Sequence, residues 1–224
     1  MGSEMCIRDR ELHMSLIATA GSESTFKPVP EGTHLARCYR IVDLGTQEST
    51  YLGQVKTQRK VMIQFEVHGD DENGFALITR AGEPMSISKN YTLSIGEKSR
   101  LRQDLASWRG KAFTPEELKG FELKNLLGVW GMISVIKTPG ENGKEYSNIN
   151  AITPVPVVMK KSGMPQHFNE AKIFSIDSPD MELFATFSDY LRAKIESSPE
   201  WQGRMKPIAY TGGGVADFDD DVPF

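Results

Sequence analysis

The final eight residues of the chain, "DFDDDVPF", carry the residue types best suited to a chemical task. Four carboxylates repel one another, so we expect this segment to stay extended and solvated. A terminal aromatic ring with a free carboxylate can anchor in an apolar slot lined by Arg or Lys, and the upstream aspartates add electrostatic steering. We therefore predict a partner-binding tail rather than a solubility tail, with contacts from Asp217, Asp219, Asp220, Asp221, Val222, Pro223 and Phe224.

Patterns typical of catalytic and metal sites are poor in this sequence. The four histidines are isolated, and no pair of cysteines has the spacing of a metal site. The strongest acidic cluster is "HGDDE", which sits between two predicted strands beside glycines, and this context favours a solvated turn. We predict no catalytic residue, no metal and no cofactor. The enzymatic alternative is a metal-dependent nuclease that uses Asp70, Asp71 and Glu72.

Five predicted strands must position any binding site. In the clearest, residues 59–68, apolar side chains alternate from Val61 to Val67, so one face is expected in the core and the strand is half-buried. Phe65 belongs to that core face. The stretch 49–58 is predicted as a polar loop. The other strands are predicted at 33–45, at 75–94 with an interruption, at 129–137 and at 146–155.

A helical connection is predicted between the third and fourth strands, from about residue 96 to residue 127. Gly110 is expected to end its first helix, and Thr114, Pro115 and Glu117 form a typical helix start. Five strands with this insertion follow the order of an OB-fold, a Greek-key barrel that binds oligonucleotides or oligosaccharides. The predicted fold class is therefore mainly β, with a five-stranded OB-fold barrel over residues 32–156.

The remaining segments flank this barrel. Residues 1–31 are predicted to be a disordered lead-in, and "MCIRDR" resembles an artefact of sequence assembly, so residues 1–13 are set aside. Residues 157–210 are predicted to be a linker with one helix at about 178–196, capped by Ser178. Its apolar stripe is expected to pack on the barrel or on a second copy, as in a homo-oligomer: Leu183, Phe184, Phe187, Leu191 and Ile195.

Charge is concentrated at the end of the chain. The formal net charge is −4, and residues 211–224 contain four Asp and no Lys or Arg, so the other residues sum to −4 + 4 = 0. This asymmetry is typical of an acidic interaction tail on a body that binds an anionic partner. No apolar run approaches the roughly 18–20 residues of a membrane span. The two cysteines form no disulfide framework, so a cytoplasmic compartment and no membrane partner are expected.

The tip "DFDDDVPF" resembles the C-terminal end of bacterial and phage single-stranded DNA-binding proteins, which carry several aspartates, an aliphatic residue, Pro and Phe. The stretch from Ser88 to Phe121 also resembles OB-fold proteins encoded by phages and prophages beside replication or recombination genes. This resemblance implies single-stranded DNA as ligand, a bacterial host cell, and replication, recombination and repair proteins recruited by the tail. The helix at 178–196, in place of a long Gly-, Gln- and Pro-rich linker, fits a phage variant better.

A protein that binds single strands needs cations for phosphates and aromatic faces on which bases stack. The candidate cations are Arg37, Arg40, Lys56, Arg59, Lys60, Lys89, Lys137 and Lys144. The candidate stacking residues are Tyr39, Tyr51, Tyr91, Trp130 and Tyr146. Trp130 is expected to face outward, because Val129, Ile133 and Val135 are assigned to the interior.

Two further binding functions stay open at this point. A recombination mediator or strand-annealing protein would load another protein on DNA, and an annealing assay separates this alternative from simple binding. An RNA-binding barrel would use the same cations and rings, and competition between DNA and RNA of one sequence tests it.

Overall fold

One long strand organises the sheet. The structure, a computed structural model, describes residues 28–51, 53–140, 143 and 145–205. Tail residues 211–224, residues 1–27 and Lys144 lie outside the described residues, and so does the Tyr51 side chain. The strands are β1 (Gly32–Tyr51), β2 (Gln54–His68), β3 (Ser86–Thr92), β4 (Trp130–Pro139), β5 (Glu145–Thr153) and β6 (Lys172–Phe174).

The strand order in the sheet is β3-β2-β1-β4-β5, and all neighbours along it are antiparallel. The first residues of β1 pair with β4, from Gly32 to Arg37, whereas nearly the whole strand pairs with β2. Register shifts between Cys38 and Arg40 and between Asp43 and Gly45 interrupt the β1–β2 ladder, and such bulges bend a strand. The two edge strands, β3 and β5, approach within 8 Å between Cα atoms. The prediction of a mainly β fold is confirmed.

Residues 49–51 and 54–58 are strand rather than the predicted polar loop. Here β1 and β2 continue as a paired ladder to Tyr51 and Gln54, and most of these residues are exposed. We call the paired residues 47–51 and 54–58 the β1–β2 arm. The misassignment arose because a ladder exposed on both faces has no apolar alternation for a sequence pattern to detect. The third strand is also shorter than predicted, since only isolated bridges form between residues 70 and 84.

The connection between β3 and β4 is helical, as predicted. It contains α1 (Arg100–Arg109), α2 (Pro115–Lys119) and a 3₁₀ turn at Leu123–Leu126. Gly110 ends α1 in the left-handed conformation with φ 67°, where a residue without Cβ is favoured. Thr114 and Glu117 form a reciprocal capping box at the start of α2. Local signals therefore determine both helix boundaries.

The interior face of the sheet forms the first of two hydrophobic cores. Ile63, Phe65 and Val67 are at most 1% exposed, which confirms the predicted core face of β2. Trp108 on α1 packs against Phe65 with ring centroids 5.4 Å apart. The connection thus closes the core from one side with a large aromatic side chain.

A second core covers the opposite face of β1 and β2. Aromatic residues of the C-terminal region, including Phe174, Phe184 and Trp201, pack there against Val42 and Met62. The prediction that β2 is half-buried was therefore wrong: Met62 is 8% exposed and Glu66 is fully buried on the face expected to be solvated. Part of the segment predicted as a linker is strand β6, which pairs in parallel with β1.

The helix predicted at 178–196 is divided. After α3 (Val157–Ser162), the structure has α4 (Met181–Ala185), α5 (Asp189–Glu196) and α6 (Pro199–Met205). Asp180, not Ser178, caps α4 by accepting the backbone N–H of Leu183. Ser188 caps α5, which starts a new helix after Phe187. The helices on both sides of the break contribute to the second core, with Phe184 from α4 and Ile195 from α5.

Within the described ranges, no helix is long and apolar enough to cross a membrane.

Candidate functional site

A groove runs between α5 and the outer face of β2 and β3. It consists of two adjoining cavities of about 260 Å³ and 190 Å³. Leu44, Asn90 and Lys194 line both cavities, so the two lie side by side. We call the two cavities together the α5 groove.

The pleat of the sheet supplies the polar floor of the α5 groove. Residues paired across β2 and β3 alternate between the core face and the outer face, so Gln64 and Ser88 lie opposite each other on the outer face, as do Met62 and Asn90. One pair further along, Lys60 lies opposite Thr92. The outer face therefore presents a row of amides, hydroxyls and one ammonium group.

Helix α5 supplies the other wall. Tyr190 is 77% exposed, and Leu191 and Lys194 lie on the same helix beside the larger cavity. The Lys194 Nζ atom lies 5.9 Å from the centre of the Tyr190 ring. Sequence reasoning missed Tyr190. The available signal was its position outside the apolar stripe, since an aromatic ring that does not serve the core is free for binding.

The charge in the α5 groove comes from two lysines with neutral contacts. Lys60 Nζ donates to Gln58 Oε1 at 3.2 Å and to Thr92 Oγ1 at 2.8 Å. Among the described residues, neither Lys60 nor Lys194 forms an ion pair. One carboxylate, Glu48, also lines the smaller cavity. The local excess is therefore positive, which suits an anionic ligand.

Three of the predicted cations form ion pairs with carboxylates of this chain. Arg37 is buried, with its guanidinium 3.3 Å from Glu66 and donating to the Asn169 carbonyl. Lys89 Nζ lies 2.6 Å from Asp104 Oδ2. Arg59 is paired with Asp43 and Asp177, and its hydrogen bond to Asp43 is the main cause that raises the pKa of Arg59. Their charges are already paired with carboxylates of the same chain, so we do not place these three residues in the candidate site.

Three further predicted cations lie outside the α5 groove. Arg40 places its guanidinium carbon 5.3 Å from the Tyr39 ring centre and 5.6 Å from that of Phe187. Lys56 is exposed on the β1–β2 arm. Lys137 is 3.2 Å from Glu145 in an exposed ion pair, and such pairs are weak.

Two predicted stacking residues are buried. Tyr39 is 6% exposed and Tyr91 is 4% exposed, so neither ring offers a face to a base. Tyr91 donates its hydroxyl to Asp104 Oδ2 at 2.9 Å, and burial followed by the nearby Asp104 charge raises its pKa. Tyr91 also lines the smaller cavity of the α5 groove, but with its ring this deeply buried we assign neither Tyr39 nor Tyr91 a stacking role.

Two predicted stacking residues remain on the outer surface. Trp130 is half-buried, and its ring packs against His68 with centroids 4.9 Å apart at 58°. Tyr146 is 51% exposed on β5. Neither lies among the residues that line the α5 groove.

The acidic cluster of residues 70–72 is built as a turn. Asp71 Oδ1 accepts the backbone N–H groups of Asn73 and Phe75, each at 2.9 Å. The Asp71 carboxylate therefore stabilises the turn. Within the described ranges, no group of three or more His, Cys, Asp or Glu side chains could hold a metal ion.

No family model and no curated protein sequence matches this chain.

Proposed function

We propose that this chain is a single-stranded DNA-binding protein of phage or prophage replication and recombination, built on an OB-fold and without enzymatic activity. The OB-fold assignment is supported by the order β3-β2-β1-β4-β5, in which β1 lies between β2 and β4 and a helical connection precedes β4. The approach of β3 to β5 supports closure of the sheet into a barrel. In such barrels, ligands bind on the outer strand face and its loops.

The α5 groove is the observation that carries this proposal. It combines Lys60 and Lys194, which can neutralise phosphates, with the exposed ring of Tyr190, on which a base can stack. Cations plus aromatic faces bind single strands with little sequence preference, since every base has a π-face. The neutral amides of the floor also allow binding of different bases, because an amide both donates and accepts hydrogen bonds.

The β1–β2 arm extends the proposed path of the strand. Its residues project from the sheet as a ladder exposed on both faces, and Lys56 lies on it. Ser49 and Lys60, at the base of the arm, line the smaller cavity of the α5 groove. We propose that DNA runs from the α5 groove onto this arm.

Partner recruitment is assigned to the acidic tip, residues 217–224, which lies outside the described residues. Its four aspartates and terminal Phe224 support binding to a basic, apolar slot on a replication or recombination protein.

A salt series tests the proposal. Fluorescence titration of the full chain with labelled oligo-dT should give an affinity that falls steeply with salt and barely changes with base sequence. The variant K60A/K194A should lower the slope of log K against log salt by about 0.7 for each phosphate that is no longer neutralised. The matched control K160A/K161A removes two exposed lysines of α3, outside the groove, and should keep the slope. Salt-insensitive or absent binding by the wild type would refute the proposal.

A further inference from the structure

We infer that the larger cavity of the α5 groove is a pocket for one nucleobase of the bound strand. This inference rests on the proposed function and adds to it a specific subsite, because stacking on an open surface needs no cavity. The pocket lies between α5 and the outer face of β2 and β3, and its lining contains Met62, Gln64, Ser88, Tyr190 and Leu191.

The size and walls of the pocket fit a small planar ligand. Its volume of about 260 Å³ lies just below the roughly 300–1,000 Å³ typical of sites for drug-sized ligands. Leu44, Met62 and Leu191 give it apolar walls. A planar aromatic ring can replace water against such walls while its polar edge points to the floor.

The floor of the pocket contains a polar atom without a partner. Gln64 Oε1 is buried and accepts no hydrogen bond from the described residues. A buried acceptor left unpaired is unfavourable, so a ligand that donates to it gains affinity. Ser88 and Asn90 lie beside it on β3 and also line the pocket.

Arg40, the neighbour of Gln64 across the β1–β2 ladder, does not donate a hydrogen bond to Gln64 Oε1. Arg40 pairs with Gln64 in the β1–β2 register, yet its own Nε is also buried and has no hydrogen-bond partner among the described residues. The Arg40 guanidinium lies over the rings of Tyr39 and Phe187 instead. The Gln64 amide, which lines the pocket, therefore keeps an unused acceptor. A small rotation of its side chain would turn this acceptor toward a bound base, and every nucleobase with an N–H group on its Watson–Crick edge can donate to it in the single strand.

The mouth of the pocket presents side chains that can bind the parts of a strand next to a bound base, namely the adjacent base and the phosphates. The exposed Tyr190 ring can stack on the same base or on the next one. Lys194 lies between the two cavities, and Lys60 lines the smaller one, so both can contact the phosphates that follow. One nucleotide thus fits with its base in the larger cavity and its phosphate near the smaller.

An oligonucleotide without bases separates base binding from phosphate binding. The full-length wild type and the variants Tyr190→Ala and Gln64→Leu are titrated with a dT oligonucleotide and with an abasic oligonucleotide of equal length. Each variant should bind dT about 5- to 10-fold more weakly, within the range for removal of one base-binding side chain, and bind the abasic strand like the wild type. Phe75→Ala removes a ring that is 67% exposed outside the groove and should change neither affinity.

The outcomes distinguish the two proposals. Variants that are folded and bind dT as tightly as the wild type would overturn the pocket while leaving single-strand binding intact. Equal weakening on dT and abasic strands would also overturn it, because the site would then contact the backbone only. Absent or salt-insensitive binding by the wild type would instead remove the proposed function itself. Thermal unfolding of each variant verifies the fold, and Gln64→Leu keeps the pocket testable if Tyr190→Ala is unstable.

Discussion

Asn169 donates two hydrogen bonds to the carboxylate of Glu66, which lies 103 positions earlier in the chain. Its backbone N–H and its side-chain amide both donate to Oε2, at 2.8 and 2.9 Å. The other carboxylate oxygen lies 3.3 Å from Arg37 Nη1 and 3.3 Å from His68 Nε2. A fully buried charge thus fastens the segment after α3 onto the outer face of the sheet. Unpaired, that charge would be strongly destabilising.

Weakening this contact should make the protein less stable and less sensitive to acid. Burial alone would raise the pKa of Glu66, but the Asn169 and His68 contacts together hold that pKa below its ordinary 4.5. The stabilisation is therefore full above about pH 4.5 and is lost as pH falls through the lower folded value. Asn169→Ala should cost about 1.5–3 kcal/mol at pH 7, because it removes a hydrogen bond to a charged group.

Urea unfolding at pH 7 and pH 4 measures this effect. The wild type should lose more stability between the two pH values than the Asn169→Ala variant does. Glu170→Ala, which removes the exposed neighbouring carboxylate, is the control and should shift stability by less than about 0.5 kcal/mol. Equal pH dependence of the wild type and Asn169→Ala would contradict the assignment.

Gly131 is predicted to tolerate no side chain. A Cβ there would lie 2.5 Å from Trp108 Nε1 and 2.9 Å from Trp108 Cδ1. The indole cannot retreat freely, because its N–H donates to the Trp130 carbonyl at 3.0 Å. Gly131→Ala should therefore destabilise the protein by about 1–3 kcal/mol, as overpacking does. Gly120→Ala, at an extended position with nothing within 4 Å, should be close to neutral in the same unfolding assay.

Local patterns predicted much of the sheet and its helical connection. The alternation around Phe65 identified the buried face of β2, and the Thr114–Glu117 capping box marked a helix start. Both signals involve residues within a few positions of one another. The parallel pairing of β6 with β1 joins residues more than a hundred positions apart. A three-residue strand has no periodicity, so the second core could not be predicted from the sequence.

The candidate site was also hard to predict, because it depends on contacts between residues that are distant in the sequence. Tyr39 and Tyr91 were selected by residue type, but tertiary packing on both faces of the sheet buries them. Arg37 was selected by charge, yet its partner Glu66 lies on another strand. Tyr190 was missed because the groove that it lines exists only after α5 packs on β1 and faces residues of β2 and β3 across the cavity. Residue type alone does not separate a binding ring from a core ring.

Tyr91 should stabilise the fold without contributing to DNA binding. Its hydroxyl donates to Asp104, which also accepts from Lys89 at 2.6 Å. Tyr91→Phe should cost about 1 kcal/mol, as for one buried hydrogen bond, and should leave the oligo-dT affinity unchanged. Burial raises the Tyr91 pKa, so its contribution is full below about pH 10 and is lost as pH rises beyond that value.

Unfolding at pH 8 and pH 11, with a parallel titration, tests this assignment. The alkaline loss of stability should be smaller in Tyr91→Phe than in the wild type, because the variant lacks one phenol that ionises in the unfolded chain. Tyr146→Phe, at an exposed position, serves as the control and should keep the alkaline loss of the wild type. Weaker DNA binding by folded Tyr91→Phe would place this ring in the interface and contradict the assignment.

Deleting residues 217–224 should separate partner binding from DNA binding. The deletion removes four aspartates, so the net charge rises from −4 to 0 and repulsion of phosphates falls. Oligo-dT affinity should stay equal or increase, most at low salt, whereas partner recruitment should be lost. As a control, replacing the four aspartates by asparagine keeps Phe224 and should reproduce the DNA effect. Weaker DNA binding after deletion would mean that the tail supports the strand, contrary to this prediction.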